Sequence, residues 1–248
     1  MPWRSGKRVT WVARKKIVFV IVEGPSDETA LGAVLDRFYD GRFVYLHVMR
    51  RDITTEKGIN PSNIVSTLGN IVKAYARDNH FQKLHFQEVI HLVDMDGAYI
   101  PDENVVEDAE QEAPLYTPTE IRTANREGIL RRNEQKRQNL DRLCGLSEVW
   151  GMPYHVYFMS CNLDHVLYGK QNSTDKEKED DSYAFAKAYR ENPAGFVQYI
   201  SGSAFSVTGG YRESWEFVKQ DLHSLERYTN FGLCFRETED AAAAPETG

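Results

Sequence analysis

Two short apolar runs, each closed by acidic residues and a glycine, constrain this chain more than anything else in it. The first is Ile17-Val18-Phe19-Val20-Ile21-Val22, which stops at Glu23-Gly24. The second is Val89-Ile90-His91-Leu92-Val93, which stops at Asp94-Met95-Asp96-Gly97. Runs this short and this rich in β-branched residues read as strands buried on both faces. Such strands belong in a parallel sheet covered by helices, and ligands of open α/β sheets bind beyond the carboxyl ends of the strands. Acids gathered there repel one another unless cations lie between them.

The intervening sequence supports that reading. After Pro25-Ser26, residues Ala30, Leu31, Val34, Leu35 and Phe38 recur at helical spacing and predict a first helix, ended by Gly41. Residues 43–48 read as a second strand. Asn60-Pro61 predicts the start of a second helix, with Ile64, Leu68, Ile71 and Tyr75 on its inner face. A third strand spans 88–93. The order β-α-β-α-β predicts an α/β fold, a mostly parallel Rossmann-like sheet flanked by helices. Residues 98–148 break the rhythm and read as a helical insertion. Within it Thr117-Pro118-Thr119-Glu120 predicts a capping box opening a long polar helix to about Leu143. A fourth strand follows at 153–159, then a short helix from Asn162. Residues 170–182 read as a polar link, and helices are expected at 182–190, 193–201 and 211–228. The expected organisation is a basic N-terminal segment 1–15, a catalytic domain 16–169, a helical C-terminal region 170–236 and a disordered tail 237–248.

The net charge of −7 disfavours a protein that coats nucleic acid, but not a metal-dependent nuclease, whose acids sit at the metal site. The acidic blocks within 102–112 and 175–181 read as solvated loops. Cys144, Cys161 and Cys234 form neither a zinc pattern nor a disulfide framework, which predicts a reduced, cytoplasmic protein. No apolar run nears the ~20 residues that span a bilayer, so no membrane partner is expected.

Alternation along a strand places Asp94 and Asp96 on one side, with Met95 in the core. Glu23 comes from a neighbouring strand end. Asp27, one turn into the first helix, faces the same cleft, and Asp164 approaches from the end of the fourth strand. Each has a bland counterpart: Glu-Gly as an ordinary turn, Asp164 as a helix cap, His91 and His165 as packed histidines. The arginine-rich helix reads either as a solvated face or, through Arg131, Arg132, Lys136 and Arg137, as a grip on nucleic acid or a partner.

A strand ending in Glu-Gly (Glu23-Gly24) followed by a strand ending in Asp-x-Asp (Asp94-Met95-Asp96) resembles the Toprim domain of topoisomerases, primases and OLD-family nucleases. The Glu-Gly-Pro-Ser-Asp turn is similar to the OLD-like branch. The resemblance covers residues 16–97, and 153–168 more loosely. It implies a Mg²⁺- or Mn²⁺-dependent endonuclease acting on DNA or RNA, with two ions held by Glu23, Asp27, Asp94, Asp96 and Asp164. It places Glu23, Asp94 and Asp96 in catalysis. It also implies a further basic residue, for which Arg212 and Lys219 are candidates. In size and plan the chain resembles the standalone Toprim effector of bacterial defence systems such as PARIS, which implies a toxic antiphage effector controlled by a partner ATPase. A ribosomal-RNA maturation nuclease is the alternative within the family. Two rivals stand outside it: a haloacid-dehalogenase-like phosphatase with Asp94 as nucleophile, and a non-catalytic Toprim-like binding module. The apolar residues of the C-terminal third, from Phe196 to Leu225, predict an interface, either a homodimer or a contact with the ATPase.

Overall fold

The computed structural model describes residues 16–39, the backbone of 44–50, and residues 52–235. The expected N-terminal segment, the helix stop at Gly41 and the tail lie outside these. The chain begins with β1 (Lys16–Val22), α1 (Pro25–Phe38), β2 (Val44–Arg50), α2 (Ile64–Asp78) and β3 (Phe86–Asp94). Three short strands follow, β4 (Val105–Glu107), β5 (Leu115–Tyr116) and β6 (Ile121–Thr123), then α3 (Arg126–Leu143). The remainder is β7 (Glu148–Val149), β8 (Met152–Met159), α4 (Leu163–Tyr168), α5 (Asp175–Tyr189), α6 (Pro193–Gly202) and α7 (Tyr211–Val218).

The main sheet has the order β2-β1-β3-β8-β7, parallel except for β7. Both faces are covered, and the strand side chains alternate between them. Val18, Val20 and Val22 pack on one face with α1, α4 and α6. Ile17, Phe19 and Ile21 pack on the other with α2, α7 and the end of α3. Fully burying one such side chain contributes about 1.5–3 kcal/mol, so a continuous apolar run is what this position requires. The fold is therefore α/β, with mixed sheets flanked by helices. Among the described residues no helix is long and apolar enough to cross a membrane.

Several boundaries differ from expectation, each for a local reason. α2 starts at Ile64 rather than after Asn60, because Asn60-Pro61-Ser62 forms a side-chain-bonded turn and Asn63 becomes the flanking residue. Thr117–Glu120 opens no helix. Its hydroxyl does bond the Glu120 N–H, but the segment is a tight turn between β5 and β6. α3 begins instead at Arg126, capped by the Asn125 side chain. The insertion thus carries a small three-stranded sheet, β4-β6-β5, as well as a helix. The polar stretch expected as a link forms the first half of α5, started by a capping box between Thr174 and Glu177. α7 ends at Val218 and turns follow it.

Several of the C-terminal apolar residues are spent internally. Phe196 and Ile200 join one face of the sheet, Trp215 and Val218 the other, and Leu225 packs on the insertion. Val197, Tyr199, Phe217 and Leu222 stay partly exposed. Residues 224–230 then run across the carboxyl ends of β3 and β8. The Ser224 carbonyl accepts the Gly97 and Cys161 N–H groups, and the Tyr228 carbonyl accepts that of Ser160. The Asn230 side chain accepts the Phe158 N–H, and the Thr229 hydroxyl donates to the Phe158 carbonyl.

Candidate metal centre

The strand order reverses between β1 and β3: from β1 the chain goes outward to β2, then returns past β1 to β3. Such a switch point leaves a crevice at the carboxyl ends of the two strands. Glu23 follows β1, and Asp94 is the last residue of β3. A Glu23 carboxylate oxygen accepts the Asp94 backbone N–H at 3.2 Å, tying the two strand ends together. A cleft of about 700 Å³ opens here, lined on this side by Glu23, Asp27, Asp52 and Asp94.

The acids form two adjoining groups. In the first, carboxylate oxygens of Glu23, Asp52 and Asp96 lie within 4.8 Å of one another. The Lys136 ammonium sits among them, 2.5 Å from Asp96 and 3.7 Å from each of the other two. In the second, Asp27 and Asp164 act on each other electrostatically and both act on Asp94. Lys178 of α5 exerts the opposite field on Asp27 and Asp164, and makes no ion pair among the described residues.

Asp94 and Asp96 do not project side by side as strand alternation predicts. β3 ends at Asp94, and Asp96 and Gly97 adopt left-handed backbone at φ 49° and 66°. Asp96 thereby swings toward Lys136, while an Asp94 oxygen accepts the Leu163 N–H at 2.9 Å. Met95 is buried in the core as expected. Asp27 stands at the third position of α1, where an oxygen accepts the Gly24 N–H at 2.8 Å. Asp164 is not the cap of α4, since the Asn162 side chain performs that task. Asp27 is 8% and Asp164 5% exposed, an unusual depth for carboxylates without an ion pair.

Burial dominates the electrostatics. It raises Glu23 well above the ordinary carboxylate range, against the opposing pull of Lys136. Burial, followed by the fields of Asp27 and Asp96, does the same to Asp94. Asp27 is pushed by burial up to about 6, and Asp164 also rises by burial. Burial would raise Asp52 too, but Lys136 and the hydroxyls of Thr54 and Thr55 outweigh it and bring the carboxyl to about 2. Burial works against the charge on Lys136, yet Asp96, Glu23 and Asp52 together keep it firmly an ammonium.

Lys136 and Asp52 are the residues the sequence reading misplaced or missed. Lys136 is 0% exposed and grips nothing outside the protein. Ile129, Asn133, Lys136, Leu140 and Leu143 are the buried stripe of α3, spaced 4-3-4-3, so its inward position was available from periodicity. Arg132 is also turned inward, donating to the Asp96 carbonyl and the Tyr116 hydroxyl. Arg137 pairs with Glu134 and Asp102, which leaves Arg131 as the exposed member of the expected grip. Arg212 and Lys219 lie elsewhere, paired with Glu216 and Asp141. Asp52 follows β2 in a Thr-bonded turn, which no motif announced. His91 is fully buried, with Nδ1 2.9 Å from the Tyr154 hydroxyl, and plays no part in the cleft.

No protein-family model, curated protein or solved structure matches this chain.

Proposed function

We propose that this protein is a divalent-metal-dependent phosphodiesterase of Toprim type, an endonuclease on DNA or RNA. One observation carries the reading: four carboxylates, from Glu23, Asp27, Asp52 and Asp94, line the switch-point crevice, with Asp96 and Asp164 close behind them, in excess of the cations that face them. The donor set suits Mg²⁺ or Mn²⁺, being all carboxylate oxygen. Lys136 lies among the oxygens of Glu23, Asp52 and Asp96, so an ion held by all three would have to displace its ammonium.

Glu23, Asp52 and Asp96 would hold one ion, and Asp27, Asp94 and Asp164 a second. Bound there, such ions supply charge neutralisation and Lewis-acid activation for phosphoryl transfer. Lys136, buried behind the cleft, would offset the charge of Glu23, Asp52 and Asp96 and fix Asp96 in place. In place of that ligand role, Glu23 could take or give a proton, for which burial raises its proton affinity. Control by a partner ATPase, in the manner of a restrained defence effector, remains part of the proposal.

The test is incubation of the purified chain with Mg²⁺ or Mn²⁺ and mixed single- and double-stranded DNA and RNA. Cleavage that EDTA stops and Asp96→Asn abolishes is expected. Failure to cut any of these would refute the proposal. Release of phosphate from small monoesters with a phosphorylated Asp94 would replace it with the phosphatase reading.

A further inference from the structure

We propose that α5 is the substrate-positioning wall of the cleft and selects an unpaired strand of nucleic acid, Tyr183 stacking on a base while Lys178 meets a backbone phosphate. This deepens the nuclease reading and rests on it. The cleft has two sides: the strand ends with the first turn of α1, and a face of α5 bearing Asp175, Lys178, Glu179, Ser182 and Tyr183. Tyr183 is 61% exposed, and Leu84 is the other large apolar side chain left so open among the described residues. Leu84 lies on a different surface, beside the amino end of β3. An open aromatic ring on the lip of an otherwise charged cleft offers a flat, sequence-tolerant surface to a base.

Lys178 is the cation among the described lining residues, and it makes no ion pair. It stands five residues before Tyr183, about 7.5 Å of helix rise. The two also stand about 140° apart around the helix, at opposite edges of the face that α5 turns to the cleft, so phosphate and base would be met at separate edges. The choice of an unpaired strand follows from two features. A paired base hides its faces in the duplex stack, leaving nothing for Tyr183 to cover. Asp175 and Glu179 on the same wall also repel phosphate, and a duplex presents about twice the linear charge density of one strand.

Steady-state cleavage of a labelled oligonucleotide, single-stranded and annealed to its complement, distinguishes the cases. Wild type is expected to prefer the single strand. Tyr183→Ala should raise KM for it by about tenfold with kcat nearly unchanged, and Tyr183→Trp should restore it. Lys178→Gln should lower the slope of log KM against log salt by about 0.7, the loss of one phosphate contact. Because Tyr183 is exposed, the variants should melt as wild type does. Cleavage with an unchanged KM in Tyr183→Ala, or a wild-type preference for duplex, overturns this inference and leaves the nuclease reading standing. Absence of all cleavage overturns both.

Discussion

Asp27→Asn should make the metal-free protein more stable at neutral pH, although it removes a residue that completes the first turn of a helix. An unfolded aspartate titrates near 3.9, whereas burial holds Asp27 at about 6. A raised folded-state pKa favours the folded state fully below pH 3.9, and that advantage is lost as pH rises through 6. Above pH 7 the buried ion therefore costs about 3 kcal/mol relative to its neutral form, at 1.36 kcal/mol per pH interval of one. Asparagine stays neutral, and its side-chain oxygen can still accept the Gly24 N–H that Asp27 accepts at 2.8 Å. In EDTA the variant should gain up to about 3 kcal/mol at pH 7.5 and nothing at pH 4. Urea denaturation of both proteins across that range measures the difference; subtraction cancels groups that do not feel Asp27, while relief of Asp94 and Asp164 adds to the gain in the same direction. A variant destabilised at pH 7.5, or a difference flat with pH, would show that Asp27 is an ordinary capping acid and that the desolvation argument is wrong. With Mg²⁺ present the order should reverse, because ion binding stabilises the wild type by mass action.

Lys136→Met should cost about 3 kcal/mol in EDTA, since it leaves Glu23, Asp52 and Asp96 facing one another without their counter-charge, and added Mg²⁺ should return part of it. Urea midpoints with and without the ion test this, and an unchanged midpoint in EDTA counts against it. Glu23→Gln should lower kcat at least a hundredfold with little change in substrate affinity; wild-type turnover would make the residue purely structural. His91, brought by burial to about 4, has the opposite pH sign from Asp27. Its stabilising contribution is present above pH 6.5 and is lost as pH falls through 4, up to about 3 kcal/mol. His91→Gln should therefore narrow its stability gap with wild type between pH 7 and 4.5, and a constant gap would contradict the assignment.

The parts of this protein governed by period and burial were legible in its sequence. β1 and β3 had to be interior strands because nothing else accommodates continuous apolar runs of that length, and Glu23 and Asp94 followed as strand-end acids. Asp96 was harder: its role depends on a left-handed turn that redirects it from Asp94's side toward Lys136, and alternation alone gives the wrong direction. Lys136 was hidden by composition. On a helix so rich in arginine it read as surface, although its place in the 4-3-4-3 stripe marked it as interior. Asp52 and the α5 wall depend on contacts between segments far apart in the chain. Local pattern carries no trace of those, and the charge run at 175–181 even suggested an unstructured link.

The strap formed by residues 224–230 has a consequence for the life of the polypeptide. Gly97 and Cys161, which carry the backbone beside Asp96 and Asp164, both bond to Ser224, more than sixty positions nearer the C-terminus. A chain emerging from the ribosome would thus have all six clustered acids synthesised well before the backbone that aims them is fastened. Competence would arrive only with the last segment made. A product cut short before Ser224, by a premature stop codon or a protease, would lack both bonds and, under the proposed nuclease reading, would be expected to be inactive.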